Sequence, residues 1–267
     1  MTAAGASWAD ALADLRGGLS RPWLWLGLGW SDIRLRFRGS LLGSLWITIN
    51  ISLLVLCLTL IFAEPFGTHR ALYAPYVAVG LVFWYFIQGT INDSCQVFTA
   101  SADTIRNTRM PLCVHVLRLL CRNAIVLGHN LLVIPVVLIA FRVAPSPSAW
   151  TVLPAMLLLL VAVFWASLLL GLLGARFRDI GQVVSNLLQL LFFVTPIFWP
   201  ADALGPGREW ILALNPVLPF IDIIRAPLLG TEPAPASWPI ALGLTALVAA
   251  IALVALAHLR RRVAYWL

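Results

Sequence analysis

Six stretches of the chain run for about twenty residues with scarcely a charge: roughly 40–62, 72–93, 121–141, 149–173, 180–200 and 237–259. Crossing about 30 Å of hydrocarbon takes roughly 20 apolar residues as helix. None of these runs shows the apolar–polar alternation of a barrel strand, and only closed backbone hydrogen bonding survives in lipid. The pattern therefore predicts an all-α integral membrane protein with six transmembrane helices. Pro154, Pro196 and Pro200 fall near the ends of the fourth and fifth stretches and blur their edges.

Between the spans the pattern changes character. Trp23, Leu26, Trp30, Ile33 and Phe37 recur at spacings of three and four, with Arg34 and Arg38 one turn apart beside them. This is the signature of an amphipathic helix lying in the headgroup plane, tryptophans at the interface and arginines toward phosphates; a helix packed on a soluble partner is the alternative. Segment 201–232 is too apolar for a solvated loop and too short to span, with prolines at 206, 216, 219 and 227. Two short helices broken at Asn215-Pro216 fit it, resting on protein or lining a cavity. The chain thus divides into an N-terminal part with the interfacial helix (1–38), a transmembrane domain (39–259) containing segment 201–232, and a tail (260–267).

Composition agrees. Of the 267 residues 61% are hydrophobic and 11% charged, against about 45–50% and 25% in soluble domains. No apolar core or cleavage site in the first twenty residues indicates a signal peptide. All 18 basic residues are arginine. Placing both termini in the cytoplasm leaves only Arg70, Arg142, Arg208 and Arg225 outside, a strong positive-inside bias. Without lysine the chain has no P-loop lysine and no Schiff-base lysine. Cys57, Cys95, Cys113 and Cys121 lack CxxC spacing and read as small buried apolar residues. The four histidines are scattered, so a metal enzyme is not indicated.

Polar residues inside spans are costly, and their arrangement carries information. Gln182, Asn186, Gln189 and Phe193 share one face of the fifth span; Trp84, Gln88 and Asn92, with Tyr85 adjoining, share one of the second; Gly43, Trp46 and Asn50 do so in the first. Amides hydrogen-bond hydroxyls and aromatic faces pack on sugar rings, so three such stripes could line a path for a polar neutral solute. Hydrogen bonding between helices is the alternative. No chain of acids and histidines threads the spans, so the energy for transport is expected from a partner. The loop Asp103-Thr-Ile-Arg-Asn-Thr-Arg-Met-Pro111 mixes Ile105 and Met110 with Arg106 and Arg109, which suits docking on a soluble protein. Plain positive-inside charge explains it equally well.

Four motifs carry a resemblance. Trp30-Ser-Asp-Ile-Arg-Leu-Arg-Phe-Arg-Gly-Ser-Leu-Leu-Gly-Ser-Leu-Trp46 resembles the opening of polysaccharide-export ABC transporter permeases, the Wzm-type subunits for O-antigen, capsule and teichoic acid. Arg176-Phe-Arg-Asp-Ile-Gly181 with Phe193-Val-Thr-Pro-Ile-Phe-Trp199, the segment Asn215–Arg225, and the ending Arg260–Leu267 are similar to later signatures of that family, in the same order. Where the family often has Asn-Pro in its first span, this chain has Asn50-Ile51.

The resemblance implies a homodimer of this subunit bound to two copies of a separate ATPase, which alone binds ATP and magnesium. The cargo would be a lipid-linked polysaccharide, with no role for nucleic acid. Trp23, Trp30, Arg34 and Arg38 would sit at the interface. Thr104, Ile105, Arg106, Asn107, Arg109, Met110 and Pro111 would form the coupling helix. Trp210, Asn215, Pro216, Pro219, Phe220 and Arg225 would form a periplasmic gate. A drug or lipid exporter of the same fold is an alternative. An integral-membrane glycosyltransferase is a weaker one, because Asp202, Glu209 and Asp222 are scattered.

Overall fold

The computed structural model describes residues 7–267 except 41, 44, 68, 109 and 206, so Arg109 of the coupling segment and Pro206 of the outer segment lie outside the described residues. The described residues form helices and turns and no strand, which is the all-α architecture the hydropathy pattern predicts. Five helical segments are long and apolar enough to cross a membrane: α3 (Leu45–Phe62), α4 (Arg70–Ser94), α6 with α7 (Leu112–Asn130 and Val133–Ala140), α8 (Val152–Arg176) and α12 (Ser237–Trp266).

The fifth expected span is shorter than its apolar run. Helix α9 covers only Ile180–Val194, 15 residues, or about 22 Å at 1.5 Å per residue. Residues 195–200 leave the helix because Pro196 supplies no amide hydrogen and disfavours helical geometry at Thr195, which is extended. Thr195 closes the helix instead, its hydroxyl donating to the Leu191 carbonyl at 2.7 Å.

The third span begins at Leu112, nine positions before the expected 121. Arg118 and Arg122 read as loop residues, yet both sit in the helix because each meets an acid. Arg118 holds Asp32 through two bonds of 2.7 and 2.5 Å, and Arg122 holds Asp93 at 2.7 Å. The span bends between α6 and α7 at Leu131-Leu132, just before Pro135. Helix α12 continues to Trp266, so the expected tail 260–267 is its last two turns.

Helix α4 is the centre of the bundle. It is buried from Tyr73 through Ile87 except at Tyr76 and Tyr85, and it touches α3, α6, α7, α8 and α9. Helix α3, by contrast, buries only Ile51, Val55 and Thr59. Helix α8 crosses the end of α4 so closely that a Cβ at Gly174 would collide with the Cys95 carbonyl; only glycine fits there.

Two further features lie outside the spans. Helix α1 (Trp8–Leu19) was not separated from the N-terminal part by the sequence reading; Ser7 caps it, its hydroxyl accepting from the Asp10 amide. Helix α2 (Pro22–Arg36) docks on α6 through Gly29 and Ile33. Ile33 thus leaves the apolar face assigned to it, while Trp23, Leu26 and Trp30 stay exposed on the side away from the bundle. Cys57 is exposed on α3, and Cys121 is half-buried, so neither is the fully buried apolar residue expected.

Candidate transport face and docking surface

Helix α9 packs against α4 and α8 with one fully buried residue, Leu188, while Val184, Leu191 and Phe192 press partly into the core. Everything opposite is open. Gln182, Asn186, Gln189 and Phe193 are all exposed and lie along that open side. The Gln182 amide donates to Asn186 Oδ1 at 3.0 Å, linking two of them one turn apart. They bond to no neighbouring helix among the described residues, so within one subunit they do not tie helices together.

The other two stripes meet in part. Trp46 and Asn50 of α3 and Tyr85 of α4 line one cavity of about 390 Å3 with Asn123 and Asn130 of α6. Asn92 lies in an adjoining cavity of about 760 Å3, nearer the arginine-rich end, with Gln96, Arg36 and Arg122. Trp84 is a correction. It is 1% exposed, packs on Phe192 with ring centroids 5.6 Å apart, and donates its indole N–H to Gln88 at 2.9 Å. It is a core residue joining α4 to α9, and it does not face a path.

At the end of the bundle away from the termini, short helices α10 (Glu209–Ala213) and α11 (Leu218–Leu228) flank a break at Asn215-Pro216, as the pattern predicts. Asn215 builds that break. Its Oδ1 accepts from the Val217 and Leu218 amides at 2.9 and 3.1 Å, and its Nδ2 donates to Thr195 at 2.8 Å. Pro216 and Trp210 are exposed, whereas Pro219, Phe220 and Arg225 are buried. Arg225 donates to the Pro196 carbonyl at 2.7 Å and lies over the Tyr76 ring, 3.9 Å from its centroid. The Tyr76 hydroxyl donates between the carbonyls of Pro196 and Trp199, and that of Tyr73 donates to Phe198. Tyr73, Tyr76 and Thr195 escaped the sequence reading; tyrosines one turn from a proline-rich turn give a signal only when the turn is known to face them. Asp222 is occupied by the Ala234 amide and the Ser237 hydroxyl.

At the opposite end, α5 (Ala102–Asn107) is a single short helix after a 3-10 turn. Arg106 and Asn107 are exposed and Thr104 half-buried. Ile105 corrects an expectation: it leans on the apolar cluster that includes Leu256 and Val263 rather than pointing outward. With Met110 it lines a cavity of about 500 Å3, whose wall also includes Asp14, Arg260 and Arg261. Pro111 precedes α6. Asp14 accepts from the Leu112 and Cys113 amides at 3.0 and 2.9 Å and from Arg260 at 2.7 Å. Nearby, Arg261 bonds Asp10 and, with Ser7, holds its carboxyl below the usual range. Asp14 escaped the sequence reading altogether; nothing local marks an acid in α1 as the cap of a helix ninety-eight positions on.

Arg34 and Arg38 project exposed from α2 and the turn after it, beside Trp30. The tryptophans and arginines on the free side of α2 are suited to headgroups.

Five helices long and apolar enough to span a bilayer, among the described residues, make an all-α membrane bundle, and the comparisons give its family. Residues 24–229 match the ABC-2 type transporter family, and the chain belongs to it as a transporter membrane subunit. Among its relatives, the O-antigen export system permease protein RfbA of Myxococcus xanthus is 27% identical over 200 residues, 73% of this chain and 76% of that protein. The protein of the same name from Klebsiella pneumoniae is 28% identical over 195 residues, 71% of this chain and 74% of its own length. These matches bear out the resemblance to polysaccharide-export ABC transporter permeases.

Proposed function

We propose that this subunit exports a lipid-linked, O-antigen-like polysaccharide across the bacterial inner membrane, as a homodimer driven by two copies of a separate ATPase. The observation that carries this reading is α9: an exposed helix whose free side bears three amides and an aromatic ring with no partner helix in the subunit. Amides in a bilayer need partners. A second copy related by a two-fold axis would bring the same helix opposite, enclosing a lumen lined by paired stripes. Trp46, Asn50, Tyr85, Gln88 and Asn92 would extend it from α3 and α4.

In this reading both termini are cytoplasmic, α2 lies in the inner leaflet among lipids, α5 seats on the ATPase, and α10–α11 form the periplasmic gate. ATP and magnesium belong to the partner. The sugar-binding character of amide and aromatic walls, and the names of the relatives, support a glycan over a drug or free lipid.

The test is vesicle transport. Inverted vesicles containing the subunit and its partner ATPase should accumulate lipid-linked polysaccharide in their lumen when given ATP. Accumulation without ATP, or without the ATPase, would overturn the reading.

A further inference from the structure

Helix α5 has a peculiar attachment for a docking element. None of its residues is fully buried: Ile105 alone leans on the apolar cluster shared by α6 and α12, and beside it lies the 500 Å3 cavity. A force applied to α5 therefore leaves through Ile105 and through its two ends. One end is the 3-10 turn that follows α4. The other is Thr108, which is extended; Pro111 then caps the first turn of α6.

That first turn is held by Asp14. The side chain is fully buried, and its two oxygens accept from the first two amides of α6, at 3.0 and 2.9 Å. Those amides have no partner within the helix, and a carboxylate there also opposes the helix dipole. The same carboxylate takes Nε of Arg260, 2.7 Å away, near the end of α12. Charge-assisted bonds of this kind are short, strong and directional. Around them α1 lies close on the first turn of α6: a Cβ at Gly18 would stand 3.0 Å from the Cys113 Cβ, a tight contact. One buried carboxylate thus joins three elements, α1, α6 and α12, at the first turn of α6.

We propose that Asp14 is the positioning residue that passes displacement of α5 to the transmembrane helices, making α6 and the end of α12 move as a unit with the docking element. This rests on the reading of α5 as the ATPase seat. The carboxylate is a joint: its α6 arm carries motion to the third span, and its Arg260 arm carries it to the sixth.

Single spin labels at Asp103 of α5, Gly128 of α6 and Tyr265 of α12, all exposed, each report the distance to the same position in the second copy. Measurements use the full complex with its ATPase, on a background without the native cysteines, with and without ATP trapped. All three distances should change on ATP binding. In Asp14→Asn, which keeps one neutral acceptor where the carboxylate took the Leu112 and Cys113 amides and Arg260, the Asp103 distance should still change while the Gly128 and Tyr265 changes fall at least about threefold. In Arg260→Gln only the Tyr265 change should shrink.

Full changes at Gly128 and Tyr265 in Asp14→Asn would overturn the proposal, as would loss of the Asp103 change in that variant, since Asp14 would then act on docking. An unmoved Asp103 label in the unaltered complex would instead sink the reading of α5. Unchanged detergent melting and ATPase co-purification of both variants separate positioning from misfolding; if Asp14→Asn fails to assemble, Arg260→Gln decides, and an unaltered Tyr265 change there overturns the proposal.

Discussion

The guanidinium of Arg225 donates to the main-chain carbonyl of Pro196 at 2.7 Å while lying 3.9 Å over the ring of Tyr76. The arginine is 6% exposed and meets no carboxylate in these contacts. Its charge is balanced by a carbonyl dipole, a π face and the chain end of α9. The pair joins α11 to the turn that ends α9, so the two helices are fixed to each other through one side chain. Arg225→Met should leave the Pro196 carbonyl with Tyr76 as its remaining donor and lower stability by about 1.5–3 kcal/mol, the range for a hydrogen bond to a charged group. Thermal unfolding in detergent measures this; Arg225→Lys should recover part of the loss.

The break between α10 and α11 depends on Asn215 more than on Pro216. Asn215 satisfies two amides of the following helix and reaches Thr195, whereas Pro216 is exposed at the turn. Asn215→Leu should cost about 2 kcal/mol through lost capping and the lost bond to Thr195. Pro216→Ala should stay within about 1 kcal/mol. Equal effects in melting experiments would show that the proline, not the cap, sets the break. If the segment gates, Asn215→Leu also raises the leak of small solutes in cells.

Arg106 stands exposed on α5, outside the spans. Arg106→Glu should weaken co-purification of the ATPase by about tenfold if it meets a charged partner. Membrane insertion should be unaffected, which fractionation checks. Unchanged co-purification would mean that α5 charge serves topology alone.

Purified free of partners, the subunit should hydrolyse no ATP above background, because no lysine is present to hold the β- and γ-phosphates. Turnover by the isolated chain, abolished by no partner's removal, would contradict the division of labour.

How much of this was legible in the sequence follows from the range of each force. Span existence depends on summed apolarity over twenty residues, and five spans and the broken pair α10–α11 were found. Edges depend on single contacts. Arg118 and Arg122 looked like the end of a span because their partners, Asp32 and Asp93, lie 86 and 29 positions away. Helix α9 looked six residues longer because Thr195–Pro200 is apolar; its backbone is satisfied by Tyr73, Tyr76 and Arg225, which no local pattern ties to it. Periodicity placed Gln182, Asn186, Gln189 and Phe193 on one open face, since a helix face is a local property. The same reasoning misplaced Trp84, because which face of a buried helix is outward depends on neighbours.

In the proposed homodimer the open side of α9 lines a water-filled lumen between the two copies. Single cysteines at Asn186 and Gln189, on a background without the four native cysteines, should react with membrane-impermeant thiol reagents while the complex is exporting. Cysteines at Val184 and Leu191, which press into the core, should react at least about tenfold more slowly, as burial requires. Equal protection at all four positions would contradict the account, and the amide stripe would then be a seam between helices.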